Sequence, residues 1–390
     1  MKPTLHNSTH QTANVHIDRI RILAPCTHTP TGKTLFLDEE SLAELVPVGA
    51  TANQLVLKDG GEKAYVRSKD IDSSTGKATM MEVHCCPPLV LQRHNLFGHG
   101  DLLRYAYQIM DLVTKRLGIN VDSFERDEWR RGGIRLTEIH LTANFGCPRG
   151  DVLPIIQAID DNSPDAKQRT IASSITLGYS PRRRSTFDMV TVYDKKLELE
   201  SQWKTPGHYQ RMLIAEAAKG IRAEVKLYSQ GLRHRELHSV SRWKDVDVAA
   251  LFFECLAKYK LGYAIKRLLT KDEMNMLSNT ERKAYQLWLT GMPIAEQFSR
   301  TTAWKYAKNI LKKTGIDISG SRRPEALPEI DMAAVFVPEN VLPVPDWARG
   351  TECYFAPGQT RLRPPGLAYI PIPPDAVDEV IMLDGEPYVI

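Results

Sequence analysis

The chain has 390 residues, 42% hydrophobic and 25% charged, which suits a folded protein with a sizeable core and favours two domains over one. A formal net charge of +4 excludes a strongly polyionic chain. No apolar run approaches the roughly 20 residues of a membrane span, and the polar first 14 residues lack a signal-peptide core and are expected to form a loose arm. Six scattered cysteines contain no C-x-x-C pair, the pattern of a reduced protein, and they disfavour a zinc site built from His84, Cys85, Cys86 and Cys147.

Val15 to Leu23 alternates apolar and polar residues as a half-buried strand does, and shorter strand-like runs follow at Leu55 to Lys58, Ala64 to Arg67 and Thr79 to His84. A helix is predicted from Asp101 to Leu117, with Asp101 as N-cap, Gly118 as its stop, and a stripe through Leu102, Ala106, Ile109, Met110 and Val113. Positive charge clusters at Arg126, Arg130, Arg131 and Arg135, a pattern suited to a polyanion.

Leu136 to Phe145 alternates cleanly. Ile139, Leu141, Ala143 and Phe145 share an apolar face, leaving Glu138, His140, Thr142 and Asn144 on the other, where a carboxylate and an imidazole two residues apart can chelate one metal. A helix from Val152 to Ile159 leads to two β-rich runs, Ile171 to Leu177 and Phe187 to Asp194. Between them a Gly/Ser/Pro turn carries Arg182, Arg183 and Arg184, so an antiparallel hairpin with a basic tip is predicted. Continuing the second strand through Lys195 would put Tyr193 and Lys195 side by side on one face.

That pairing has chemical weight. Lowering a tyrosine pKa from near 10 by about three units requires about 4 kcal/mol of phenolate stabilisation, which an adjacent cation and a bound metal can supply together. A helix is predicted from Thr205 (N-cap) and Pro206 to Gly220, then a strand from Ile221 to Tyr228 with Arg222, Glu224, Lys226 and Tyr228 facing outward. The expected fold is α+β, a mixed and largely antiparallel sheet with its helices on one face. The open face would carry Glu138, His140, Glu224 and Tyr193, a metal-assisted phosphoryl-transfer arrangement.

From Asp245 the periodicity is helical. Val246 to Lys260 predicts one helix, and Thr280 to Ile316 a helix-turn-helix whose last helix buries Trp304, Ala307, Ile310 and Leu311 and presents Lys305, Lys308, Asn309, Lys312 and Lys313 to phosphates. Past Arg323 prolines dominate, and the segment is expected to wrap over a domain without a core of its own. Asp384 and Gly385 signal a terminal hairpin.

Several stretches in one order resemble the gene II replication initiators of filamentous phages and related phage and plasmid replication proteins, over roughly Val15 to Tyr354. They are LQRHNLFGHGDL, EIHLTANF, MVTVYDKKLELE, IRAEVKL, YQLWLTG followed by TTAWKYAKNILKKTGIDI, and VPDWARG. The resemblance implies a rolling-circle endonuclease-like fold and a metal-dependent nickase and strand transferase that starts rolling-circle replication. Tyr193 would be the nucleophile forming a 5′-phosphotyrosine link, Lys195 its partner, and Glu224 a metal carboxylate, with Glu138 and His140 where the family usually carries an Arg and then an Asp. Arg93 stands where the family usually has Gly. The cofactor would be a divalent ion, Mg or Mn. The partners would be duplex origin DNA, the displaced single strand, and a host helicase and polymerase in the bacterial cytoplasm. DNA contacts would fall on Arg182, Arg183, Arg184, Lys305, Lys308 and Lys312. The domains implied are an arm (1–14), an endonuclease and strand-transfer domain (15–240), a helix-turn-helix domain (241–322) and a Pro-rich segment (323–390). A non-enzymatic DNA-binding regulator and a nuclease that activates water directly are the competing readings.

Overall fold

The computed structural model describes residues 14–36, 47–50, 53–56, 63–162, 167–178, 187–259, 261, 268–292, 294–314, 316, 318–319, 330–356, 380–383 and 386–389. Arg182, Arg183, Arg184, Asp384 and Gly385 lie outside them. Eleven strands form one sheet: β1 (His16–His28), β2 (Thr34–Phe36), β3 (Pro47–Ala50), β4 (Asn53–Val56), β5 (Lys63–Ile71), β6 (Ala78–Cys85), β7 (Arg135–Gly146), β8 (Lys167–Ile171), β9 (Ser174–Leu177), β10 (Asp188–Tyr193) and β11 (Gly220–Tyr228). Their order is β2-β3-β5-β6-β1-β7-β11-β10-β9-β8, with β4 also paired to β5. The pairings among these strands are all antiparallel, so the sheet is antiparallel where a mixed one was expected. The run from Ile171 to Leu177 is two strand pieces, because Ala172 and Ser173 turn the chain between β8 and β9.

The apolar face is read directly from the register. Ile17, Leu141, Val225 and Val190 lie in one row across β1, β7, β11 and β10, and Ala143, Ala223 and Val192 in another. Their core includes apolar side chains of α2 (Leu102–Arg116), α3 (Ser123–Arg131), α4 (Val152–Asn162) and α8 (Val248–Ala257). Asp101 caps α2 as expected, accepting from Arg104 N at 2.9 Å. The short α1 (Pro87–Gln92) ends on Arg93, which takes φ 65°.

Helices are not confined to that face. Asn144 Nδ2 donates to Leu96 O at 2.6 Å and Arg222 Nη1 to Asn95 O at 2.5 Å, so the loop after α1 lies on the polar face. Leu96 and Phe97 form a second apolar cluster there with α5 (Lys195–Gln202), α6 (His208–Ala217) and residues 344–353. α6 starts two residues later than Thr205 and Pro206 suggest, because Gln210 Oε1 accepts from Gly207 N at 2.9 Å and makes Gly207 the N-cap. Gly220 opens β11 rather than closing the helix.

A third cluster is mainly helical. α7 (Ser229–His234) leads out of β11. After α8, α9 (Lys271–Met276), α10 (Asn279–Leu289), α11 (Ile294–Gln297) and α12 (Arg300–Thr314) enclose Ala284, Tyr285, Trp288, Ile294, Ala303, Ala307 and Ile310. Trp304, expected inside, is 63% exposed. The buried stripe runs through Ala303, Ala307, Ile310 and Thr314, and one residue further along a helix turns about 100° away from it. Lys313 turns in to Glu281 at 2.6 Å.

Residues 330–356 lie against the sheet. Met332, Val335 and Phe336, in and beside α13 (Met332–Val335), enter the main core, and Asn340 Nδ2 donates to Gly146 O at 2.8 Å. The terminal hairpin pairs β12 (Val380–Leu383) with β13 (Glu386–Val389). None of the helices of the described residues is long and apolar enough to cross a membrane.

Candidate active site

On the sheet's polar face the register sets out four adjacent rows. They are His84, Arg21, Glu138 and Tyr228; then Arg19, His140, Lys226 and Met189; then His16, Thr142, Glu224 and Thr191; then Asn144, Arg222 and Tyr193. Three strands distant in sequence thereby place Glu138, His140, Glu224 and Tyr193 diagonally next to one another.

Glu224 is the junction. Its Oε1 lies 2.7 Å from His140 Nδ1 and 3.6 Å from Lys226 Nζ, and its Oε2 accepts from the Tyr193 hydroxyl at 3.5 Å. His140 Nε2 lies 2.9 Å from Glu138 Oε1, so the imidazole is clamped between two carboxylates. Burial disfavours its charge, but the contacts with Glu138 and Glu224 outweigh that and raise its pKa above the ordinary value. Burial likewise opposes ionisation of Glu138, yet His140 and Arg21 hold it down at about 2. Glu224 is also buried and is kept below the usual carboxylate range by Lys226 and His140.

The third member of the cluster is Asp18. The β1–β7 register steps from Ile17 opposite Leu141 to Arg19 opposite His140, which makes Asp18 the extra residue of a β-bulge. Its Oδ1 accepts from Arg222 Nη2 at 2.8 Å and Asn95 Nδ2 at 2.7 Å. Asp18, His140 and Glu224 each offer a ligand atom, all within 4.8 Å of one another, and no other such group occurs among the described residues. Glu138, expected as a ligand, is not in the group; it sits behind His140, on the other ring nitrogen. Cys85, Cys86, Cys147 and His84 are not in it either.

The donor chemistry fits a hard divalent ion. Two carboxylates and one imidazole suit Mg or Mn. A carboxylate on the second ring nitrogen is the usual outer support of a metal-bound histidine.

Residues 58–246 match the model of the Phage_CRI family, described as the N-terminal part of a replication-associated protein. Over 310 residues the chain is 24% identical to the replication-associated protein of Enterobacteria phage I2-2, covering 78% of this chain and 88% of that protein. Over these stretches the chain is similar to this family of phage replication-associated proteins. No solved structure gives a significant match. The segment matched by the family model contains Glu138, His140, Tyr193, Lys195 and Glu224, while Asp18 and α12 lie outside it.

Lys195 reaches Tyr193 by a different route from the expected one. β10 ends at Tyr193, and Asp194 caps α5 by accepting from Leu197 N at 3.2 Å, so Lys195 is the first residue of a helix and not the next outward residue of a strand. Its Nζ still lies 5.9 Å from the centre of the Tyr193 ring, as does the Arg222 guanidinium, and it pairs with Glu198 at 2.7 Å. Burial and Arg222 lower the Lys195 pKa, and burial raises that of Tyr193 well above its ordinary value against the pull of Arg222. Lys305, Lys308 and Lys312 stand exposed on α12, in the helical cluster and not around Tyr193.

Sequence reasoning passed over Asp18, Arg222 and Asn95. Asp18 left a faint trace, an acid inside an otherwise apolar and basic strand. Arg222 was placed on the correct face, but its burial under the loop at 95–96 comes from a contact across 127 residues.

Proposed function

We propose that the chain is a rolling-circle replication initiator that nicks one strand of a supercoiled origin through Tyr193 and later reseals the displaced strand. One observation carries the reading: the Tyr193 hydroxyl lies 3.5 Å from Glu224, a member of the Asp18–His140–Glu224 cluster. The phenol gives its proton to Glu224, and Arg222 and Lys195, both beside the ring, favour the phenolate. Its oxygen bonds to the scissile phosphorus, the bond to the 3′ oxygen breaks, and that oxygen takes up a proton to become a 3′-OH for a polymerase. Asp18, His140 and Glu224 would hold a divalent ion, Mg or Mn, which supplies Lewis-acid polarisation of the phosphate. Glu138 orients His140 from behind. Replacing one phosphodiester by a phosphotyrosyl ester roughly conserves bond energy, so attack by a 3′-OH reverses the step without ATP.

The lysines of α12, Lys305, Lys308 and Lys312, and the Arg182–Arg184 tip would contact DNA phosphates, leaving unwinding and synthesis to a host helicase and polymerase in the bacterial cytoplasm. The test is incubation with a supercoiled origin plasmid and Mg or Mn. The expected product is a nicked circle with protein on its 5′ end, lost in Tyr193→Phe while DNA binding stays within about twofold. A free 5′ phosphate would indicate direct attack by water, and no nick at all a non-enzymatic regulator.

A further inference from the structure

We propose that the exposed face of α12 is a stacking platform for single-stranded DNA, with Trp304 receiving an unpaired base and Lys308, Lys305 and Lys312 the flanking phosphates. The inference rests on the replication reading above and adds to it which form of DNA this helix holds. Thr301, Trp304, Lys305, Lys308 and Lys312 are all exposed, and at 100° per residue they fall within an arc of about 100° on the side away from the buried Ala303, Ala307 and Ile310. Trp304, at 63% exposure, is a large aromatic left in water beside cations. Lys308 Nζ lies 4.7 Å from the indole centroid. A base stacked on the exposed indole would have that ammonium beside it for its phosphate.

Charge selects the class of partner. Lys313 is neutralised by Glu281 at 2.6 Å, whereas Lys305, Lys308 and Lys312 are paired with no carboxylate among the described residues, so the face presents three positive charges to a polyanion. The aromatic selects the form. In a duplex every base face is already stacked, and an indole offers only its edge to a groove. In a single strand each base has a free π-face, and aromatic stacking combined with a cationic track is the usual basis of binding without sequence preference. An initiator that displaces one strand makes such a ligand.

The test uses the full chain with a short oligothymidylate and a duplex of the same length, each titrated over a range of salt concentrations. Trp304→Ala should weaken oligothymidylate binding about tenfold with an unchanged salt slope and move duplex binding less than twofold, and Trp304→Phe should restore most of the loss. Lys308→Ala should flatten the single-strand salt slope by about 0.7. Because Trp304 is outside the core, the thermal midpoint should not move in either variant. Unchanged oligothymidylate binding in Trp304→Ala would overturn the proposal and leave the face to another occupant, such as an acidic protein surface. An equal loss on duplex would also overturn it, assigning the helix to a groove. Failure of the unsubstituted chain to bind either DNA would instead overturn the replication reading itself.

Discussion

His140 touches two acids through its two ring nitrogens, and the two contacts divide the labour. Nδ1 faces Glu224, a fellow member of the cluster with Asp18 that could hold a cation, and Nε2 faces Glu138, which fixes the ring. Isothermal titration with Mn should therefore show binding abolished in Asp18→Asn and weakened about tenfold in Glu138→Gln, the usual effect of removing an outer support. Equal loss in both would make Glu138 a direct ligand. Tyr193 shows the opposite logic, a side chain whose neighbours matter more than its own acidity. Burial raises its pKa against the pull of Arg222, so a nucleophilic role would depend on positive charge nearby. Arg93 is informative for stability. It is exposed and ends α1 at φ 65°. A side chain there is strained, so Arg93→Gly should raise stability by about 0.5–1 kcal/mol, visible as a higher urea midpoint.

Among the elements, β1 and α12 depart most from a plain reading of pattern. The bulge at Asp18 lets one strand carry Ile17 and Ile20 into the core while turning Arg19 and Arg21 to the rows of His140 and Glu138. α12 is tied to α10 by Glu281, which also accepts from Ser278 N at 2.8 Å in a capping box. Burial opposes its ionisation, but Lys313 and Ser278 hold its pKa near 2, below the ordinary 4.5. A carboxylate depressed in the folded state adds stability that is complete above pH 4.5 and lost as pH falls towards 2. Glu281→Gln should remove about 1 kcal/mol at neutral pH and flatten the acid limb of the helical unfolding curve followed by circular dichroism. A variant with the unaltered acid limb would show that the ion pair contributes nothing.

For the whole molecule, the C-terminal segment joins both faces of the sheet. Phe336 packs on Phe145 at 5.2 Å between centroids on the apolar side, Val341 bridges Phe145 at the end of β7, and the Cys353 carbonyl lies 2.7 Å from His94 Nε2 on the polar side. Phe355 N donates to Gln92 Oε1 at 2.8 Å, fixing the loop that covers Arg222 and Asp18. Phe336→Ala should therefore cost about 3 kcal/mol in global unfolding free energy, the usual loss for a buried aromatic. A loss below about 1 kcal/mol would mean that the segment rests on the sheet without bracing it.

Alternation along Leu136–Phe145 and Ile221–Tyr228 determines which side chains share a face, because the side-chain period of a strand is two whatever its partners are. For the same reason the polar set of Glu138, His140, Glu224 and Tyr193 was legible before any coordinates. Periodicity could not decide strand order, the bulge that brings Asp18 beside His140, the turn of Lys195 into a helix, or the loop and C-terminal segment over the polar face. Those depend on pairings between residues tens to hundreds of positions apart. Their register is set by the packing of the whole core, and no local window of sequence contains it.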